Sequence, residues 1–213
     1  MENNRTNTGT KVKTIFWVVG DPSADFHCAK VINELRTLAP HINNVGIGGK
    51  QMAKAGFNLL YDLTVEGIMG FVEVLKHLNK IKKLISQTIQ WIQEYNPIGI
   101  VLVDYPGFNL HLASKIQDLG PPIVYYISPQ VWAWKKNRVK KIARFAKKVL
   151  VIFPFEVKIY KDVGADCEYV GHPLLDKIPA MRKPLAYSPP YNVALLPGSR
   201  MQEIKRILPI MIT

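Results

Sequence analysis

The chain has 213 residues, of which 28 are basic and 16 acidic, for a formal charge of +12. With 48% hydrophobic and 21% charged residues it can bury a core, which excludes a disordered polyelectrolyte. No apolar run approaches the roughly 18 residues of a spanning helix. Two cysteines without a CxxC pair argue against a disulfide framework or a zinc site and make a reducing cytoplasm the default. The basic excess favours polyanionic partners (phosphates, nucleic acid or an anionic lipid surface) without choosing among them.

In chain order, residues 1–12 read as a disordered tail and Lys13–Val19 as a buried strand, too short and too quickly ended by Gly20-Asp-Pro for a signal peptide. Phe26–Leu38 has the spacing of an amphipathic helix, and Asn44–Ile47 reads as a short strand before a glycine turn and a brief helix around Gln51. Met69–Tyr95 is largely helical, with a break near Leu78. Strands at Gly99–Val103, Pro122–Ile127 and Val149–Phe153 alternate with helices at Phe108–Leu119 and Lys136–Ala146. This alternation predicts an α/β fold with a Rossmann-like parallel sheet covered on both faces. Ligands of such sheets gather beyond the carboxyl ends of the strands. Residues 13–178 form this first domain, and 179–190, rich in proline, read as a linker. From 191 a strand (Asn192–Leu196), a glycine turn and a helix begin a second domain that the 213 residues do not complete.

Four loops carry candidate chemistry. In GDPSADFH (Gly20–His27), Ser23 or Asp25 could cap the helix, whose free N–H groups would also suit an anion. In VLVDYPGFNL (Val101–Leu110), Asp104 sits where an apolar strand meets its loop, a place that suits a general base as well as a structural aspartate. LLPGSRMQEI (Leu195–Ile204) resembles a phosphate cradle, with Gly198, Ser199 and Arg200 converging on a diphosphate. VGHPLLD (Val170–Asp176) presents His172, with no metal-ligand spacing around it. A GxGxxG fingerprint, a P-loop and GxSxG are all absent.

Two basic segments need separate readings. Between Lys135 and Lys148 lie eight basic residues and no acid, after Trp132 and Trp134. Val139, Ile142, Ala146 and Val149 form an apolar seam there, which leaves the cations a solvated face and the tryptophans in the core or lining a site. In MGFVEVLKHLNKIKKLI (Met69–Ile85), apolar and lysine positions interleave as on a helix that packs on a sheet or lies in a membrane interface.

In combination and in order, GDPSAD, GIGGKQMAKAGF, MGFVEVLKHL, DYPGFN, YYISPQVWAWKKNRVKKI, FPFE, VGHPLLD and LLPGSRMQEI resemble the lipid-A-disaccharide synthases from about Lys13 onward. The resemblance implies the N-terminal half of a GT-B glycosyltransferase, two Rossmann-like domains facing across a cleft. It implies inverting transfer of 2,3-diacylglucosamine from UDP-2,3-diacylglucosamine to 2,3-diacylglucosamine 1-phosphate, giving a β-1′,6-linked disaccharide and UDP. By the same resemblance Asp104 is the base for the acceptor hydroxyl and Arg200 assists the donor diphosphate. Ser23, Asp25, Asn109, Ser128 and His172 bind substrate. Phe71, Val72, Val74, Leu75 and Leu78 face the membrane, and no metal or other cofactor takes part. It places the enzyme in the cytoplasm on the anionic inner face of the inner membrane, with no nucleic acid partner, and allows a homodimer of the full-length protein.

Two departures stand out. The family's G-E-x-S-G-D is Gly20-Asp-Pro-Ser-Ala-Asp25, and Gly107 stands where many relatives carry a second aspartate. Because most donor contacts belong to the second domain, the 213 residues alone are expected to be inactive. A truncated, non-catalytic module that binds anionic lipid is the alternative. A nucleic-acid binder finds no helix-turn-helix, RNP or KH signature.

Overall fold

The computed structural model describes residues 12–65, 78–132, 137–178, 193–198 and 201–213. The chain divides into two compact units, Met1–Leu175 and Asp176–Thr213. In the first unit, seven strands form one parallel sheet: β1 (Lys13–Val19), β2 (Ile42–Gly48), β3 (Asn58–Asp62), β4 (Gly99–Val103), β5 (Ile123–Tyr126), β6 (Ala146–Val151) and β7 (Cys167–Tyr169). Their spatial order is β3-β2-β1-β4-β5-β6-β7. The helices are α1 (Pro22–Leu38), α2 (Lys50–Lys54), α3 (Leu78–Tyr95), α4 (Pro106–Ile116), α5 (Asn137–Phe145) and α6 (Pro154–Lys161).

The apolar runs of the central strands are long because both faces are covered. Alternate side chains of β1 enter different cores: Phe16 and Val18 one, Trp17 and Val19 the other, all at most 3% exposed. Residues of α1 and α2 (Ala24, Cys28, Ile32, Met52) complete the second core. The first is completed by Leu84, Ile85 and Ile92 of α3, Leu112 and Ile116 of α4, and Val139 and Ile142 of α5. Sequence order reverses between β1 and β4, so the loops after Val19 and Val103 open a crevice at the carboxyl ends of the two central strands.

The structure refines several expectations. Asp21, not Ser23 or Asp25, caps α1: its carboxylate accepts the Ser23 N–H at 2.8 Å, and Pro22 at the first helical position lacks a donor to satisfy. Ala146 and Val149 belong to β6, so the seam of α5 is Val139 and Ile142 alone. Three elements had no counterpart in the sequence reading: β3, α6 and β7. In the second unit, residues 193–198 form no strand, since none of the described residues there pairs with them, and α7 (Met201–Met211) follows. The expected tail to residue 11, the linker at 179–190, Trp134, Ser199 and Arg200 lie outside the described residues. So do Phe71, Val72, Val74 and Leu75, while Leu78 opens α3, whose Leu84 and Ile85 are buried. Among the described residues no helix is long and apolar enough to cross a membrane.

Asp25 ties the first turn of α1 to the loop after β2. Its carboxylate accepts N–H groups from Gly49, Gln51 and Met52, each at 3.0 Å, which caps the short α2 from 24 or more residues away. A Cβ at Gly49 would lie 2.6 Å from that carboxylate, so only glycine fits there. We expect Asp25→Ala to lower stability by on the order of 3 kcal/mol, because it strands buried donors as well as removing charge-assisted bonds. Asp25→Asn, which keeps an acceptor, should lose less. Guanidinium unfolding of the three proteins gives the ranking, and equal stabilities would refute the clamp.

Candidate active site

At the carboxyl end of β4 the chain turns through two consecutive left-handed residues, Asp104 (φ 41°) and Tyr105 (φ 42°), before Pro106 opens α4. A further left-handed residue, the β-branched Ile127 (φ 53°), ends β5 beside it. Such conformations cost about 1 kcal/mol or more each and persist where surrounding contacts over-determine them. Here the contacts converge on one atom. The Asp104 carbonyl oxygen accepts the Tyr125 hydroxyl at 2.7 Å and Asn109 Nδ2 at 2.9 Å, and the same amide reaches the Val103 carbonyl at 3.0 Å. The Asp104 N–H donates to the Tyr126 carbonyl at 3.1 Å. The opposite loop adds a steric stop: a Cβ on Gly20 would lie 2.5 Å from the Tyr105 ring, so the two crevice loops touch without clearance.

The turn places Asp104 in the wall of a cavity of about 340 Å³. Its other walls are Pro106, Ile127, Ser128, Pro129, Gln130, Arg138, Ile152 and Phe153. Burial raises the Asp104 pKa to about 6, and the negative charge of Asp21 pushes in the same direction, while a backbone bond to Tyr105 opposes both. The carboxyl is therefore ionised at neutral pH yet more basic than an ordinary aspartate, as proton abstraction from a hydroxyl requires.

The remaining sequence candidates divide by position. Ser128 lies in the same cavity, with its hydroxyl shared with the buried Tyr160 and donating to the Pro129 carbonyl at 3.0 Å. His172 is half-buried, its ring 5.4 Å from that of the cavity residue Phe153 and its Nδ1 accepting the Leu174 N–H. Ser23 is exposed in the first turn of α1 and donates to Asp21. Asn109 is wholly buried and holds the Asp104 backbone, and the Asp25 carboxylate is filled by α2. Gly198 (φ 114°) belongs to the second unit, with its neighbours Ser199 and Arg200 outside the described residues. Among the described residues no three His, Cys, Asp or Glu side chains gather as a metal site would need.

Sequence reading missed Asp21, Tyr125, Arg138 and Phe153. Only Tyr125 left a signal: a tyrosine on an apolar strand must find a partner for its hydroxyl. Trp132 is 42% exposed and packs edge-on to Phe155, whose ring stacks on Phe153, so an aromatic row leads away from the cavity.

A pH signature follows from Asp104. Its folded pKa, about 6, lies above the unfolded value, so the native state resists ionisation. The resulting penalty is absent below about pH 4, grows as pH rises toward 6, and is complete above it. Asp104→Asn, which mimics the protonated form, should therefore stabilise the protein at pH 8 by on the order of 2 kcal/mol, a gain that fades toward pH 4. Guanidinium unfolding at the two pH values measures it, and a gain independent of pH would contradict the desolvated carboxylate.

Comparison with known proteins bears on the whole chain. It is 39% identical to the lipid-A-disaccharide synthase of Myxococcus xanthus over 95% of its own length and 55% of that protein. It is 40% identical to the synthase of Nitrosococcus oceani, over 92% and 52%. Lipid-A-disaccharide synthase 1 of Legionella pneumophila is likewise 40% identical, over 92% and 53%. The chain thus spans about half the length of the curated relatives it matches. Among solved structures, a UDP-GlcNAc 2-epimerase from Neisseria meningitidis, bound to UDP-GlcNAc, aligns with a TM-score of 0.45 at 14% identity, over 78% of this chain and 43% of that one. The family model described as lipid-A-disaccharide synthetase matches residues 15–213, and the chain belongs to that family.

Proposed function

We propose that the chain supplies the acceptor side of an inverting glycosyltransferase of lipid A assembly. The observation that carries this reading is a carboxylate of raised basicity at the switch point of a parallel sheet, in a chain of this family. The acceptor is 2,3-diacylglucosamine 1-phosphate and the donor UDP-2,3-diacylglucosamine. Asp104 takes the proton of the acceptor 6-hydroxyl as its oxygen bonds to the donor anomeric carbon. The bond from that carbon to the diphosphate breaks, and UDP leaves with the electron pair, assisted by Arg200 beside Gly198 and Ser199. Attack opposite the leaving group inverts the anomeric centre. Ser23, Ser128 and His172 meet the acceptor, while Asn109 and Asp25 hold the loops that carry it. The donor site belongs to a second Rossmann-like domain in a GT-B arrangement.

A chimera with this chain in place of the matching segment of the Myxococcus xanthus relative tests the assignment. Asp104→Asn should lower its turnover by about two or more orders of magnitude, the range of a lost general base, with a much smaller change in acceptor KM. The rate should rise with pH through a limb near the pKa of about 6, and Asp21→Asn, which removes a like charge but keeps a capping side chain, should move that limb to lower pH. A variant at Asp104 retaining a tenth of the rate would remove it from the base role.

The same reading places the enzyme on the inner face of the inner membrane, held through Phe71, Val72, Val74, Leu75 and Leu78. Lysines flanking these residues would add roughly 1 kcal/mol each near anionic lipid. Changing Val74, Leu75 and Leu78 together to serine should leave a folded protein that sediments less with phosphatidylglycerol vesicles. Unfolding of the triple variant would instead assign these side chains to the core.

A further inference from the structure

Between α4 and α5 runs a trough of about 860 Å³ that shares two wall residues, Pro106 and Arg138, with the Asp104 cavity. Arg138, Lys141 and Arg144 line it at intervals of three residues, so they form one stripe along α5, and no carboxylate is among its walls. The facing helix contributes His111, Ser114 and Gln117, which are neutral or titratable donors rather than counter-charges. Among the described residues none of the three cations is in an ion pair with a carboxylate. The sequence of α5 also works against its own dipole, with no acid in the first turn and Arg138 there instead. A helix that concentrates unneutralised cations in a concavity beside a base is built for an anion, and the open end of α4 at Pro106 and Gly107 adds to the positive potential.

We infer that this trough seats the phosphate monoester of the acceptor whose hydroxyl meets Asp104. The inference rests on the acceptor-side reading above and extends it to the ligand's other end. A sugar with a nucleophilic hydroxyl at one end and a phosphate at the other needs two joined compartments of opposite character. The base must lie apart from the phosphate, whose charge would otherwise raise its pKa further. Arg138, common to both compartments, stands at their junction, and Lys141 and Arg144 extend the stripe away from it. Guanidinium groups bind phosphate oxygens in pairs of parallel bonds, so two arginines flanking a lysine match a dianion.

The test titrates the 213-residue chain with short-acyl 2,3-diacylglucosamine 1-phosphate, with the same sugar lacking phosphate, and with inorganic phosphate. The double variant Lys141→Gln/Arg144→Gln should weaken binding of the phosphorylated sugar by about tenfold or more, the scale of lost charge-assisted bonds. Inorganic phosphate should weaken in parallel and the phosphate-free sugar should bind both proteins alike. Unchanged affinity for the phosphorylated sugar would overturn the inference, as would an equal loss for the phosphate-free one. Phosphatidylglycerol vesicles distinguish the other source of phosphate: loss of vesicle binding with intact sugar-phosphate binding would give the cations to the membrane surface and overturn the assignment. In the chimera the double variant should raise acceptor KM with little change in kcat. No disaccharide from the unaltered chimera would defeat the glycosyl-transfer reading itself, whereas an active chimera with unchanged KM in the variant would defeat the trough alone.

Discussion

The site depends on a single carbonyl oxygen. By accepting from Tyr125 and Asn109 together, the Asp104 carbonyl fixes a left-handed turn that the side chains of two ordinary residues would otherwise resist. The turn sets the place of Asp104 in the cavity wall, where burial withdraws its carboxyl from water. Both donors are buried, Tyr125 on β5 and Asn109 on α4, so the turn is held by neighbouring elements of the sheet and not by its own loop. Strain of this kind is tolerated where it positions a reactive group.

Electrostatics and topology act on the same point. The reversal of strand order brings the Asp21 loop against the Asp104 loop, and two carboxylates approach each other in a partly dehydrated crevice. Asp21 is occupied as a helix cap, which fixes its carboxylate near the switch point. Basicity at Asp104 thus has two sources, lost solvation and a neighbour of like sign, and the first is the larger. The short first acid of the GDPSAD loop, aspartate instead of glutamate, is what allows one carboxylate to cap α1 from the N-cap position.

Much of the fold was legible because the central strands are buried on both faces. β1, β4 and β5 read as uninterrupted apolar runs, and Asp104 stood out as the charge that ends one of them. The omissions have physical causes. β7 is three residues long and exists by pairing with β6, which no local pattern reveals. α6 did carry a start signal, Pro154 followed by Glu156, whose carboxylate accepts the Phe153 N–H at 3.2 Å, yet its two turns are too few for periodicity to show. The roles of Asp25 and Asn109 were unreadable for another reason. Their acidic or amide character marks them only as polar, whereas their burial and the backbone they serve are decided by contacts across the fold, in the case of Asp25 with a loop more than twenty residues on. The cationic stripe was visible as composition, and its confinement to a trough required the packing of α4 on α5.

The central place of β1 also sets an order of assembly. β1 can pair with β2 as soon as both have been made, but its other edge waits for β4, more than eighty residues later. Until that pairing closes, a young chain presents an open strand edge in its most apolar segment, the kind of edge that invites aggregation. The crevice therefore forms through one of the longest-range contacts of the sheet, and such contacts are slow to close. During synthesis the elements on either side of the site exist well before the site does, and the interval between them is when the growing polypeptide is most in need of a chaperone.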